Sequence, residues 1–432
     1  MYLKTLKALL LGLCIGAMAT ISWASSSLAA EESLEQQVHE LIQQNKALTD
    51  RLMQVEQQLS EMKAKTAPAG VEQRVSQLEE RLEKEKPAWG TGFLSDLENR
   101  ITFSGLLEFG AAYHSTDMNH GDYEHDSDLC MTTVELAIAA EVNDWVSAEM
   151  VLLYEDPTFD NDETNVDIDE AFITIGNTER IPPFLKAGKM YVPFGALLEH
   201  FPDDPLIDAP LTLCVGETLE KAVLIGAEYE GFTVSAYVFN GDVEEAGGGD
   251  NVVESYGFDA NYALEEDNPI IQGLDLLVGG SYISNMAEAD GIEDTLEDIG
   301  SDIEDYVGGA AAYFHAGYQG FFLDAEYMAF TDTAEFYEDG TEVEIDNLEV
   351  WNFEIGYNYN WWRNLEIALK YAGSNDCDYL GLPRDRYGIN FNQEIFDNTI
   401  LSVGYMYDEY DNNDADNRNT RDLVFGQIAV EF

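Results

Sequence analysis

Three of the chain's six histidines, His114, His120 and His125, fall in one short stretch among the carboxylates Asp117, Asp122, Glu124 and Asp126. Imidazole and carboxylate together suit Zn(II), Cu(II) or Ni(II), which makes the stretch a candidate metal-capture loop. Its spacing matches no known cage, so a plain solvated loop is the competing reading. A second set combines scarce positive charge with acid. Lys186 and Lys189 precede Phe194, and Glu199, Asp203, Asp204 and Asp208 follow. A lysine facing carboxylates across a narrow passage would set selectivity by charge, whereas a lysine at a rim would only keep its head in water. The run Asp411–Asp416 lacks the turn Gly and the closing Glu of a helix-loop-helix calcium site. Cys130, Cys214 and Cys377 allow one disulfide and one leftover thiol, with the pairing open. No hydrolase elbow, phosphate loop, nicotinamide fingerprint or metalloprotease helix occurs, so neither a cofactor nor enzymatic activity is expected.

The elements that would position these residues follow from composition. Against 84 Asp and Glu the chain has 21 Lys and Arg, a formal net charge of -63, which excludes nucleic acid as a partner. Aromatics at 12% are too many for a disordered acidic chain and fit interfacial girdles. After the first thirty residues no apolar run reaches the roughly 18 needed for a membrane helix. Any membrane crossing is therefore by strands.

Residues 1–29 read as a cleaved signal peptide: Lys4 and Lys7 precede an apolar run from Ala8 to Ile21, and small residues offer cleavage at Ser27-Leu28-Ala29 or Ser22-Trp23-Ala24. Residues 30–66 carry a heptad seam. Val38, Leu52 and Leu59 take the a positions, and Leu34, Leu41, Leu48, Val55 and Met62 take d. Asn45 at an a position would fix register and oligomer state. This predicts a periplasmic coiled coil about 50 Å long that assembles a homo-oligomer, by default a trimer. A lone helix lying on the barrel or on peptidoglycan is the alternative. Residues 67–92 form a linker with a second short helix, seamed by Val71, Val75, Leu78 and Leu82.

From residue 93 to 432 the period becomes 2. Ile101, Phe103, Leu107, Phe109, Ala111 and Tyr113 share one face, with Thr102, Ser104 and Glu108 between them. The pattern recurs to the last residues, where Ile428, Val430 and the terminal Phe432 form the apolar face of a strand suited to membrane assembly. Short links such as Glu230-Gly231 and Gln319-Gly320 alternate with long acidic connections at roughly 114–129, 155–165, 195–220, 241–252, 285–306, 332–347, 374–385 and 411–420. The predicted fold is all-β: a transmembrane antiparallel barrel of about 16 strands, closed by pairing its last strand with Ile101–Tyr113. Such a barrel is too wide for wall side chains alone to fill. His315, within a strand, reads as a lumen residue.

The connection from Gly195 to Glu220 holds Pro202, Pro205 and Pro210 with Phe201 and Leu206, too apolar for a solvated tip. It is expected to fold into the pore. The runs Lys189-Met190-Tyr191-Val192-Pro193-Phe194-Gly195, Ala209-Pro210-Leu211-Thr212-Leu213, Gly216-Glu217-Thr218-Leu219-Glu220-Lys221-Ala222 and Tyr237-Val238-Phe239-Asn240-Gly241-Asp242 resemble the LbtU-type siderophore porins. The resemblance implies an outer-membrane barrel of a Gram-negative bacterium, with a periplasmic coiled-coil start, that takes up ferric siderophores without a plug. Lipid and a small solute or siderophore are the expected partners. Two other readings stay open: a general cation-preferring porin, and a structural tether whose barrel is plugged.

Overall fold

In the computed structural model, contacts divide the chain into Met1–Leu94 and Ser95–Phe432. The structure describes residues 100–156, 159, 166–198, 209–243, 252–266, 268, 271–299, 303–338, 341–345, 347–360, 363–411 and 417–432. The signal peptide, the coiled coil with Asn45, and the linker helix lie outside the described residues.

The wall begins with β1 (Ile101–Met118), β2 (Tyr123–Asn143), β3 (Val146–Glu155), β4 (Asp167–Gly176) and β5 (Pro183–Tyr191). It continues through β6 (Leu219–Tyr229), β7 (Phe232–Asn240), β8 (Ser255–Leu264), β9 (Leu274–Ile283), β10 (Gly309–Tyr318) and β11 (Phe321–Phe330). After a small hairpin of β12 (Ala334–Glu338) and β13 (Thr341–Ile345) come β14 (Glu349–Tyr359), β15 (Leu365–Asn375), β16 (Asp385–Phe396), β17 (Thr399–Glu409) and β18 (Arg418–Glu431). Every wall strand pairs antiparallel with its neighbours, and β18 pairs with β1, so 16 strands close a barrel. The seam is tied at its end by Gly105 N–H to Phe432 O at 2.9 Å and Phe432 N–H to Gly105 O at 3.0 Å.

Alternation sorts each strand into two faces. On β6, Val223 and Ile225 are exposed on the outer surface while Ala222 and Leu224 are buried inside. On β18, Val424, Ile428 and Val430 point outward and Leu423, Phe425 and Ala429 inward. An outer face of this kind suits hydrocarbon rather than water. Tight turns close one end: Glu230-Gly231 and Gln319-Gly320 both adopt positive φ at both positions, the geometry that matches strand twist in a two-residue hairpin.

The long connections cluster at the other end, with one correction. The stretch 114–129 is not a loop: β1 and β2 run 18 and 21 residues and zip as far as Asp117 opposite Tyr123. A membrane strand needs only about 9 to 11 residues, so this hairpin continues beyond a span of that length. Tyr113 of β1 stacks on His125 across the pair at a ring separation of 6.2 Å, and Tyr123 flanks His125 along β2 at 6.5 Å. The connection 332–347 likewise contains a hairpin that the sequence pattern did not reveal.

Among the described residues the loops carry two α-helices, α1 (Leu213–Gly216) and α2 (Asp290–Ile299), and 3-10 turns such as Met286–Glu288. Together with inward side chains of the wall they build one apolar cluster that includes Phe194, Val215, Phe239, Ile283, Met286, Ile292, Met328 and Phe336.

Candidate functional site: an acidic cleft beside an anchored loop

The segment between β5 and β6 forms one side of the site. Its described legs, 192–198 and 209–218, pack inside the barrel, with Phe194 only 1% exposed. Glu199, Asp203, Asp204 and Asp208 lie outside the described residues. Glu326 of β11 holds both legs: its Oε1 accepts the N–H groups of Ala196 and Leu197 at 2.7 and 3.1 Å, and its Oε2 accepts the Thr212 hydroxyl at 2.5 Å. Ser281 Oγ accepts Gly195 N–H at 2.7 Å, and Lys370 Nζ donates to Ala209 O at 2.8 Å. Lys370 is itself paired with Glu354 at 2.8 Å, both side chains being buried. Gly195 is required here. Its φ is +78°, and a Cβ would strike Met328 Cε and stand 2.8 Å from Glu326 Oε1.

Register settles the orientation of the two lysines. Lys186 pairs with buried Leu224 and faces inward, its Nζ 4.9 Å from the centre of the Phe172 ring. Lys189 pairs with Lys221 and faces outward, donating to Ile168 O at 3.0 Å. Of these two, Lys186 alone belongs to the lumen.

Between the loop and strands β1 to β5 a cleft of about 530 Å³ remains. Six carboxylates line it: Glu135, Glu149, Glu155, Asp169, Glu170 and Glu217. No Lys or Arg is among its described lining residues. Tyr191 braces the wall, its hydroxyl donating to Asp169 Oδ1 at 2.9 Å and its N–H to Glu170 Oε1 at 3.3 Å. Carboxylates lining one cleft raise the local cation concentration and repel anions, an effect that salt weakens.

The histidines are not brought together. His114 pairs with Asp126 and faces inward, 3.1 Å from Thr116 Oγ1 and edge-on to Phe159, whereas His125 pairs with Ser115 on the opposite face. His120 sits in the turn between the strands. The sheet itself separates the proposed ligands. Among the described residues the group whose ligand atoms do converge, within 4.8 Å, is Glu220, Glu288 and Glu293. Burial, with the Glu293 charge adding, pushes the Glu288 carboxyl up to about 7. The hydrogen bonds it accepts from Asp242 and Val243 N–H act in the opposite sense.

None of the three described cysteines is in a disulfide. Cys130 lies in the wall on β2, and burial pushes the Cys214 and Cys377 thiols up to about 12, so neither is a thiolate at neutral pH. His315 faces inward as expected, 2.5 Å from Asp324. Ile428, Val430 and Phe432 stand at the outer face of the closing seam. Sequence reasoning missed Glu326 and the cleft carboxylates. Their signal was present but weak, as acids at the polar positions of otherwise apolar alternating strands.

No family model matches the chain. Among curated proteins, a UPF0422 protein of Coxiella burnetii is 25% identical over 339 residues, covering 78% of this chain and 69% of that protein. The UPF0422 protein lpl2888 of Legionella pneumophila is 24% identical over 337 residues, covering 71% of this chain, and the match spans 59% of the Legionella protein. The fold resembles the outer membrane channel DcaP of Acinetobacter baumannii, with TM-score 0.51, 14% identity and coverage of 77% of this chain and 97% of that one. It also resembles an anion-selective porin from Comamonas acidovorans, with TM-score 0.51, 12% identity and coverage of 77% and 99%. A third similar structure is Salmonella typhi OmpF in complex with daunomycin, with TM-score 0.52, 13% identity and coverage of 77% and 97%. At these identities the likeness establishes the fold: this chain is a porin-like closed barrel.

Proposed function

We propose that the chain forms an outer-membrane channel through which small solutes move passively, with cations favoured. The observation that carries this reading is the cleft of about 530 Å³ with six carboxylates and no described basic residue on its lining. Its volume falls in the range of sites that hold drug-sized molecules, roughly 300 to 1,000 Å³. Ferric siderophores are the cargo suggested by the motif resemblance across 185–242, and trimer assembly through residues 30–66 belongs to the same reading. Planar-bilayer recordings of the purified protein test the channel. Cation preference that fades as salt rises is expected; absence of conductance, or anion preference, overturns it. Uptake of a ferric siderophore into proteoliposomes, against an empty-vesicle control, tests the cargo.

A second reading has one observation in its favour. The apolar cluster around Phe194, Val215 and Met328 packs inside the barrel, as a plugged barrel serving as a structural tether would require. The same recordings separate the two, since a tether needs no conductance.

A further inference from the structure

In a chain with 21 basic residues against 84 acidic ones, the places where positive charge collects are informative. Register aligns Thr116, Arg421, Asp408, Arg386 and Ala372 in one row across β1, β18, β17, β16 and β15. Asp408 is fully buried and the two arginine side chains are 11% and 22% exposed, so the row faces the lumen. One carboxylate thus serves two guanidinium groups. Arg386 approaches it with Nε at 2.8 Å and Nη2 at 3.3 Å, and Arg421 with Nη2 at 2.7 Å and Nε at 3.1 Å. The group carries a net charge of +1, and Nη1 of each arginine makes no hydrogen bond to a described residue. Tyr410 backs the cluster: its ring lies 4.1 Å from the Arg418 guanidinium and 5.9 Å from that of Arg421, and its hydroxyl donates to Asp408 at 3.4 Å. The acids Glu124 and Asp126 of β2 stand opposite Thr116 and His114, one strand further on.

One carboxylate balances only one of the two guanidinium groups, and the remaining positive charge, on partly buried side chains, favours an added anion. The planar fork of arginine is suited to binding an oxyanion through two hydrogen bonds. Cys214 of α1 lies within electrostatic reach of Arg386 as well as of Asp294, Asp290 and Glu217, and Leu213 and Glu217 line the acidic cleft.

We propose that Arg386 and Arg421 form a lumenal subsite for an oxyanion group, carboxylate or phosphate, so that the channel is matched to solutes carrying both signs of charge. This rests on the channel reading for its route but not for the binding itself. Calorimetric titration of citrate, and separately of inorganic phosphate, into the detergent-purified full chain tests it. Binding that weakens with salt is expected in the wild type. Arg421→Gln leaves a neutral Arg386–Asp408 pair and is expected to weaken binding roughly tenfold, the loss of one charge-assisted pair. Arg421→Lys keeps the charge, loses the fork and should lie between. No binding of either anion by the wild type, or equal binding by both variants and the wild type, overturns the proposal. Bilayer recordings on the same preparations keep the two claims apart. A protein that conducts nothing yet loses citrate affinity in Arg421→Gln retains the subsite and loses the channel. One that conducts yet binds citrate unchanged in the variant loses the subsite alone.

Discussion

The barrel has two interiors. On the side of β6 to β14, inward residues such as Phe239, Ile283, Met328 and Val350 are buried against α1, α2 and the β12–β13 hairpin. On the side of β1 to β4, inward residues such as Glu135, Glu149 and Glu170 border open space. The strands on both sides follow the same alternation and have comparable outer faces. The difference lies in what folds over them: loops with apolar residues dry one half, and the other half borders a cleft lined by carboxylates, with no Lys or Arg among its described lining residues. A solute path, in this account, runs along the wet half, and the dry half fixes the loop that bounds it.

The sharpest way to break this comparison is to release the loop. Glu326→Ala removes the acceptor of three hydrogen bonds that tie both legs to the wall, a loss on the order of 3 kcal/mol. Larger and noisier single-channel current is expected; unchanged current and noise would mean that the loop does not depend on this anchor. Of similar size in stability is Phe194→Ala, which should cost about 3 to 5 kcal/mol in the dry half. Leu153→Ala in the wet half should cost clearly less, because that side chain is only partly buried. Thermal unfolding of both variants gives the contrast, and equal costs would erase it.

A subtler effect concerns pH. Burial raises the Glu288 carboxyl to about 7 and the Asp290 carboxyl to about 6, both above the ordinary carboxylate range. An acid whose folded pKa is raised binds more protons folded than unfolded, so its contribution is full below the ordinary value and declines as pH rises to the folded value. The cap around α2 should therefore hold more firmly at about pH 5 than at about pH 8. Slower amide exchange across 286–296 at the lower pH, after correction for intrinsic exchange, is the expected result, and equal protection at both would contradict it. The smallest effect separates the lysines. Lys186→Gln should raise cation preference modestly, since that side chain faces inward, and Lys189→Gln should leave it unchanged.

Much of the fold was legible in the sequence because lipid imposes period 2 on one face whatever lines the other. The run from Ile101 to Tyr113 and the ending at Phe432 showed it, and they are indeed seam partners. Legibility failed where long-range contacts decide. The acidic, histidine-bearing stretch 114–129 has loop composition, yet it zips as strand, with Tyr113 stacked on His125 across the pair. The choice between Lys186 and Lys189 required the phase of the alternation, which the pairing of Lys186 with Leu224 supplies. Glu326 anchors a loop some 130 residues before it, a relation that no local pattern encodes.

The most direct test of the account is the reversal potential across a KCl gradient at low ionic strength, for the wild type and for Glu135→Gln/Glu149→Gln/Glu170→Gln. If the acidic cleft is the conduction path, the wild type is cation-selective and the triple variant loses most of that selectivity while still conducting. Equal reversal potentials in the two proteins would place the current elsewhere and contradict the account.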